Sequence, residues 1–333
     1  MTAGDEMIKL ALIAGCGLIL ALGAGTLWAV LAPGARLLGL VAAVERGRAG
    51  LTPKTAHIPE FGIAYLEGGA GETLLLVHGS SGDKDNWNRV ARHLTPHLRV
   101  VAVDLPGFGD SDKPDHADYG LQAQVGHIRA FAAQLDLTRF HLGGHSMGGR
   151  IAAMYAARYP EQVQSLWLLA PGGVLSSAAS DLALGLARGE ANPLFARSDA
   201  DFDRYLAILV AQPPALPAPL KRAYAERAAR RADLHERIFD VMQRENLPLE
   251  AAIGARLDIP TRLVWGDRDR VWHASGAAIL QQHMPRASLL ALPDIGHVPL
   301  MEAPQRVAED YLAFLQTLPR PAPQAIAERS AAE

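Results

Sequence analysis

A serine stands among small residues in Gly144-His145-Ser146-Met147-Gly148-Gly149. It follows the apolar run Phe140-His141-Leu142-Gly143, and Arg150-Ile151-Ala152-Ala153-Met154-Tyr155-Ala156-Ala157, with helical periodicity, comes after it. Strand, sharp turn and helix around G-x-S-x-G form the layout of a nucleophile elbow. A serine hydroxyl is a weak nucleophile until a base takes its proton, and that base works best when a third group orients it. Downstream, residues 288–292 are strand-like and lead into Pro293-Asp294-Ile295-Gly296-His297, while 261–265 lead into Gly266-Asp267-Arg268-Asp269. Both loops lie past the C-terminal end of a strand, the edge of an open α/β sheet where sites form. His297 is the expected base. Asp267 and Asp269 compete to orient it, because in a tight loop only one carboxylate reaches the imidazole. His145 is expected to pack at the elbow, its side chain turned away from the hydroxyl.

Attack on a carbonyl leaves an oxyanion, which needs preorganised donors. One is expected from the backbone N–H of Met147, at the start of the helix after the serine. The other is expected from the loop after residues 73–77, His78-Gly79-Ser80-Ser81-Gly82. Ser80 is the first choice there and Ser81 the second.

These residues need a sheet edge to hold them. Strand-like runs at 61–66, 73–77, 98–103, 140–145, 165–169, 261–265 and 288–292 alternate with helical stretches at 87–93, 120–135, 148–158, 274–283 and 304–318. The alternation predicts an α/β fold, a mostly parallel central sheet flanked by helices. A simple crossover needs about a dozen residues, so most of the stretch from 172 to 257 is extra. Its helical spacing of Phe202, Tyr205, Leu206 and Leu209, and its Arg- and Ala-rich run from 221 to 244, predict a helical cap over the site, with the charges on its wet face.

Taken together the motifs resemble those of the α/β-hydrolases. They comprise His78-Gly79 with Lys84-Asp85-Asn86-Trp87, Asp104-Leu105-Pro106-Gly107-Phe108-Gly109-Asp110-Ser111, the serine hexapeptide, Trp265 to Asp269, and Gly296-His297. Within that superfamily the chain is similar to membrane-anchored monoacylglycerol lipases and related bacterial lipases and esterases. The resemblance selects Asp269 through the pattern W-G-x-x-D and leaves Asp267 as a turn residue capping its own backbone. It implies a serine carboxylic-ester hydrolase with Ser146, Asp269 and His297 as its triad, acting on small esters or monoacylglycerol-like lipids without a metal or organic cofactor. Ser80 stands where such lipases carry a bulky residue. The serine excludes the relatives that place an Asp at the elbow. Serine-triad C–C hydrolases and haloperoxidases remain as the alternative enzyme class, and a non-catalytic binding protein as the rival from outside enzymes.

Composition bounds the rest. The chain has 333 residues, 49% of them hydrophobic, which is enough for one large core. Its formal net charge of −3 points away from nucleic acid as a partner. Residues 10–32 carry no charge. As a helix they would extend about 34 Å, against a hydrocarbon core of about 30 Å. A transmembrane anchor is the preferred reading over a cleaved signal or the lipoprotein-like box Ile13-Ala14-Gly15-Cys16. Arg36, Arg46, Arg48 and Lys54 follow the run, whereas only Lys9 and the amino terminus precede it. That imbalance predicts a single-pass protein of a bacterial inner membrane with its catalytic domain in the cytoplasm. The expected organisation is a leader at 1–9, an anchor at 10–32, a linker at 33–55, a catalytic domain at 56–318 and a disordered tail at 319–333. The apolar stretch from 37 to 44 either lies along the membrane interface or packs on the catalytic domain.

Overall fold

The computed structural model describes residues 34–319. The expected leader and anchor, and the tail beyond residue 319, lie outside the described residues. Among the described residues no helix is long and apolar enough to cross a membrane.

Eight strands form one sheet in the order β1-β2-β4-β3-β5-β6-β7-β8. They are β1 (Thr52–Ile58), β2 (Phe61–Gly68), β3 (Thr73–Val77), β4 (Arg99–Val103), β5 (Phe140–His145), β6 (Val163–Leu169), β7 (Thr261–Gly266) and β8 (Ala287–Leu292). The pairings β1–β2 and β2–β4 are antiparallel, and all others are parallel. Parallel strands are covered on both faces, which is why Thr73–Val77 and Phe140–His145 are buried at every position. The side-chain period of two then sorts each strand between two cores. Leu75, Val77, Leu142, Leu166 and Leu168 face one core, while Leu74, Leu76, Trp167 and Leu169 face the other.

The described helices in chain order are α1 (Gly34–Arg48), α2 (Asn88–Leu94), α3 (Leu121–Gln134), α4 (Met147–Arg158), α5 (Asp181–Ala187), α6 (Asp199–Leu209), α7 (Ala218–Arg244), α8 (Leu249–Ala252), α9 (Gly276–His283), α10 (Pro299–Glu302) and α11 (Pro304–Gln316). Helices α3, α4 and α9 close the first core. Helices α2 and α11 close the second, where Tyr311 stacks on Trp167 at 4.3 Å between ring centroids.

A helix and the start of a strand lie within residues 33–55, and the helix packs on the catalytic domain, one of the two placements expected for residues 37–44. Residues 34–48 are a helix packed on α7, with Gly34 against Ala223, and the bidentate pair of Arg46 with Asp85 at 2.6 Å fastens it. Leu38 is buried there, but Leu40 and Val44 stay 49% and 45% exposed. Residues 52–58 are the edge strand β1. Only Ala56 and Ile58 of it are buried, so Thr-Pro-Lys-Thr carries no apolar alternation to read.

Helices α5 to α8 occupy the insertion between β6 and β7. Helix α7 buries Ala223, Ala225, Ala232, His235, Ile238 and Met242, and leaves most of its charged residues in water or half-buried. Two of its arginines turn inward. Arg231 and Arg227 approach Asp83 Oδ2 at 3.2 and 3.5 Å. Burial acts to raise the Asp83 carboxyl, but the two guanidiniums outweigh it and hold it below the usual carboxylate range. The cap is therefore fastened by charge to the loop that follows β3.

That loop is fastened a second time from below. Lys84 Nζ, almost wholly buried, donates to Asp104 Oδ2 at 2.7 Å and Asp110 Oδ2 at 2.6 Å, and the Lys84 backbone N–H donates to Asp104 Oδ1 at 2.6 Å. Removing one partner of a buried pair strands the other charge, which costs about 3–5 kcal/mol. Lys84→Met is expected to lower stability by that amount in urea unfolding. A loss under about 1 kcal/mol would show that water reaches Asp104.

Candidate active site

Four expected site residues sit in loops at the C-terminal edge of the parallel strands, Ser80 after β3, Ser146 after β5, Asp269 after β7 and His297 after β8, and Met147 opens α4. Ser146 adopts φ 54° and ψ −119°, a backbone conformation that side chains seldom take. The turn needs its flanking glycines because the chain doubles back on itself. A Cβ at Gly144 would lie 2.3 Å from the Gly148 carbonyl oxygen, and one at Gly148 would lie 2.3 Å from those of Val77 and His78. The Ser146 N–H donates to the Leu169 carbonyl at 3.0 Å, which pins the turn to β6.

Asp269 and His297 meet. His297 Nδ1 lies 2.8 Å from Asp269 Oδ2, with side chains 2% and 0% exposed. Three further donors hold the carboxylate: Trp265 Nε1 at 3.1 Å on Oδ2, and the backbone N–H groups of Val271 and Trp272 at 2.8 and 2.9 Å on Oδ1. The arrangement leaves Nε2 as the free nitrogen of the imidazole.

Asp267 is placed elsewhere. It is exposed, and its Oδ1 accepts the backbone N–H of Asp294 at 2.8 Å. The sequence reading had it capping its own backbone; instead it braces the neighbouring loop that carries His297.

His145 packs at the elbow, with its ring centroid 4.9 Å from that of His297. Burial, with the nearby His297, pushes its imidazole down to about 3, so the ring is neutral. Its Nε2–H donates to the His297 carbonyl oxygen at 2.8 Å. The residue next to the serine thus fixes the backbone of the histidine loop. Glu302 does the same from the other side, accepting the Gly296 N–H at 3.0 Å on Oε1 and the Ala211 N–H at 2.8 Å on Oε2. The sequence reading did not single out Glu302. The signal available was a carboxylate in the short helix directly after the Gly-His pair.

The Ser80 and Met147 positions line one narrow cavity with Ser146, together with Leu182, Leu194 and Phe239 of the cap. At Ser81 the backbone is at φ 58°, and the hydroxyl donates to the Leu194 carbonyl at 3.0 Å. The cavity holds about 30 Å³, the room of about one water molecule.

The fold and the site together define a class. Residues 72–304 match the family described as the alpha/beta hydrolase fold, and the chain belongs to that family. Among curated proteins, Lipase 1 of Psychrobacter immobilis is 37% identical over 259 residues, covering 77% of this chain and 81% of that protein. A monoacylglycerol lipase of Homo sapiens is 27% identical over 282 residues, covering 81% and 83%. Among solved structures, a membrane phospholipase A described as a bacterial virulence factor superposes with a TM-score of 0.82 at 45% identity, covering 92% of this chain and 98% of that one.

Proposed function

We propose that this chain is a membrane-associated, lipase-type serine ester hydrolase acting through an acyl-enzyme, with monoacylglycerol-like lipids in its substrate range. The contact of His297 with Asp269, at the sheet edge from which Ser146 projects, carries the reading. His297 Nε2 takes the Ser146 proton as Oγ bonds to the ester carbonyl carbon. The carbonyl oxygen, now negative, is held by the backbone N–H groups of Ser80 and Met147. Asp269 stabilises the imidazolium that forms. Collapse breaks the bond to the alcohol, which leaves with the proton from His297. Water then adds to the acyl carbonyl by the same base, and the carboxylic acid departs, restoring Ser146.

The cavity is narrower than the several hundred Å³ of a typical ligand site. Displacement of the cap would widen it for substrate. The anchor at 10–32 would bring the cap mouth to a bilayer in which such substrates dissolve, with the catalytic domain on the cytoplasmic side. The lipase relatives support the ester chemistry, and the membrane phospholipase neighbour supports association with a bilayer.

Turnover of a p-nitrophenyl ester series tests the chemistry, and hydrolysis is expected across short and medium acyl chains. Cleavage of a vinylogous 1,5-diketone with no ester turnover would move the protein to the C–C hydrolases. The location has its own test. Deleting residues 1–33 is expected to move the enzyme from the membrane pellet to the supernatant while short-ester hydrolysis persists. Full-length protein already released by a carbonate wash would sink the anchor.

A further inference from the structure

Among the described residues, Arg150 has no salt-bridge partner in the cavity that holds Ser146. It lies one turn into α4, lines the same cavity as Ser146, Ser80 and Met147, and is 6% exposed. Its Nη2 donates to the Leu247 carbonyl oxygen, and its Nε is buried with no partner. Glu245 and Glu250 act on it only from a distance, and both are engaged elsewhere. Glu245 accepts the Leu121 N–H, and Glu250 accepts the Ser176 N–H at 3.0 Å. A guanidinium stays ionised even when buried, so it remains a charge without a salt-bridge partner among the described residues. Bracing Leu247 calls for one donor, which a neutral side chain supplies. The remaining donors of the fork suit an anionic oxygen group.

Gly173 leaves room for the guanidinium. At φ 86° it also lines the cavity, and a Cβ there would lie 2.6 Å from Arg150 Nε and 2.9 Å from Cζ. The Arg150 N–H donates to the Ser146 carbonyl at 3.0 Å, so the two residues begin one helical turn apart and both line the same cavity. Among glycerol lipids the anionic group nearest an acyl ester is a phosphate, which six bonds join to the acyl carbonyl carbon, a chain of at most about 7 Å.

We propose that Arg150 forms an anion subsite of the substrate cavity, taking the phosphate of a glycerol lipid whose acyl ester lies at Ser146. The proposal rests on the serine-hydrolase reading and narrows its substrate class to phosphate-bearing acylglycerols.

The test compares a monoacylglycerol with its phosphate ester, of the same acyl chain, in mixed micelles with the full-length protein. Wild type is expected to favour the phosphate ester in kcat/KM. In R150Q the ratio of the two values is expected to fall about 10- to 100-fold, the range for a lost hydrogen bond to a charged group, with KM carrying most of it. A purely structural arginine would lower both substrates alike and leave the ratio within about twofold, which overturns the proposal. Inorganic phosphate provides a measurement that needs no variant. It is expected to compete with p-nitrophenyl butyrate on wild type beyond a chloride control of equal ionic strength, and absence of competition also overturns the proposal. Failure of wild type to hydrolyse any ester would instead remove the serine-hydrolase reading on which this one stands.

Discussion

Replacing Ser146 with Ala is expected to abolish ester hydrolysis and leave the fold in place. Loss of the nucleophile in a triad enzyme lowers kcat on the order of a millionfold. The hydroxyl makes no contact that supports the elbow; the Ser146 backbone does that, through its N–H to Leu169 and its carbonyl to the N–H groups of Arg150 and Gly172. Removing Oγ also keeps the positive φ at residue 146, so stability is expected to stay within about 0.5 kcal/mol of wild type, the range for substitutions that disturb no packing or network. A fluorophosphonate probe provides the check. It is expected to label wild type and not Ser146→Ala. Labelling that persists in the folded variant would mean that another residue is the nucleophile.

What the sequence discloses here follows from how many partners a feature has. Strands such as Thr73–Val77 and Phe140–His145 are buried on both faces, so they read as unbroken apolar runs between glycines, prolines and charges. Ser146 and Asp269 are legible for a related reason, since each follows such a run; His297 follows the half-buried edge strand Ala287–Leu292, whose Leu-Leu-Ala-Leu still reads as apolar, and the parallel order brings these ends to one edge. The edge strand Thr52–Ile58 pairs on one side and packs little, so nothing in its composition marks it. Contacts between distant loops are silent in the same way. Neither Asp83 nor Arg231 identifies the other across 148 positions, and the bond from His145 to the His297 carbonyl spans 152. Helical periodicity in the insertion shows which faces are apolar, but not that Leu182, Leu194 and Phe239 line the cavity of Ser146. Arg150 was visible only as the first residue after the two glycines. Its isolation emerges only once its neighbours are placed.

Asp269→Asn is expected to harm catalysis far more than Asp267→Asn, although the two lie in one loop. The Asp269 carboxylate receives four N–H donors, and His297 Nδ1 is one of them. An asparagine there presents an NH2 group in place of one oxygen. Its carbonyl oxygen can satisfy the Val271 and Trp272 N–H groups or the imidazole, not both sets. If the NH2 group turns to His297, it selects the tautomer with the proton on Nε2, and the ring then has no lone pair for the serine proton. In the template triad that change lowers kcat on the order of ten-thousandfold with the geometry intact. Asp267 accepts one backbone N–H, that of Asp294, at an exposed site, and an asparagine oxygen keeps that bond. Its loss of activity is expected to stay within about threefold, since a neutral acceptor forgoes only part of an exposed bond worth about 1 kcal/mol. The measurement is kcat for one short soluble ester in both variants, alongside their unfolding midpoints. Equal and small losses would mean that neither carboxylate orients the base. A large loss confined to Asp267→Asn would place the histidine loop, and not the imidazole's partner, in control of the reaction.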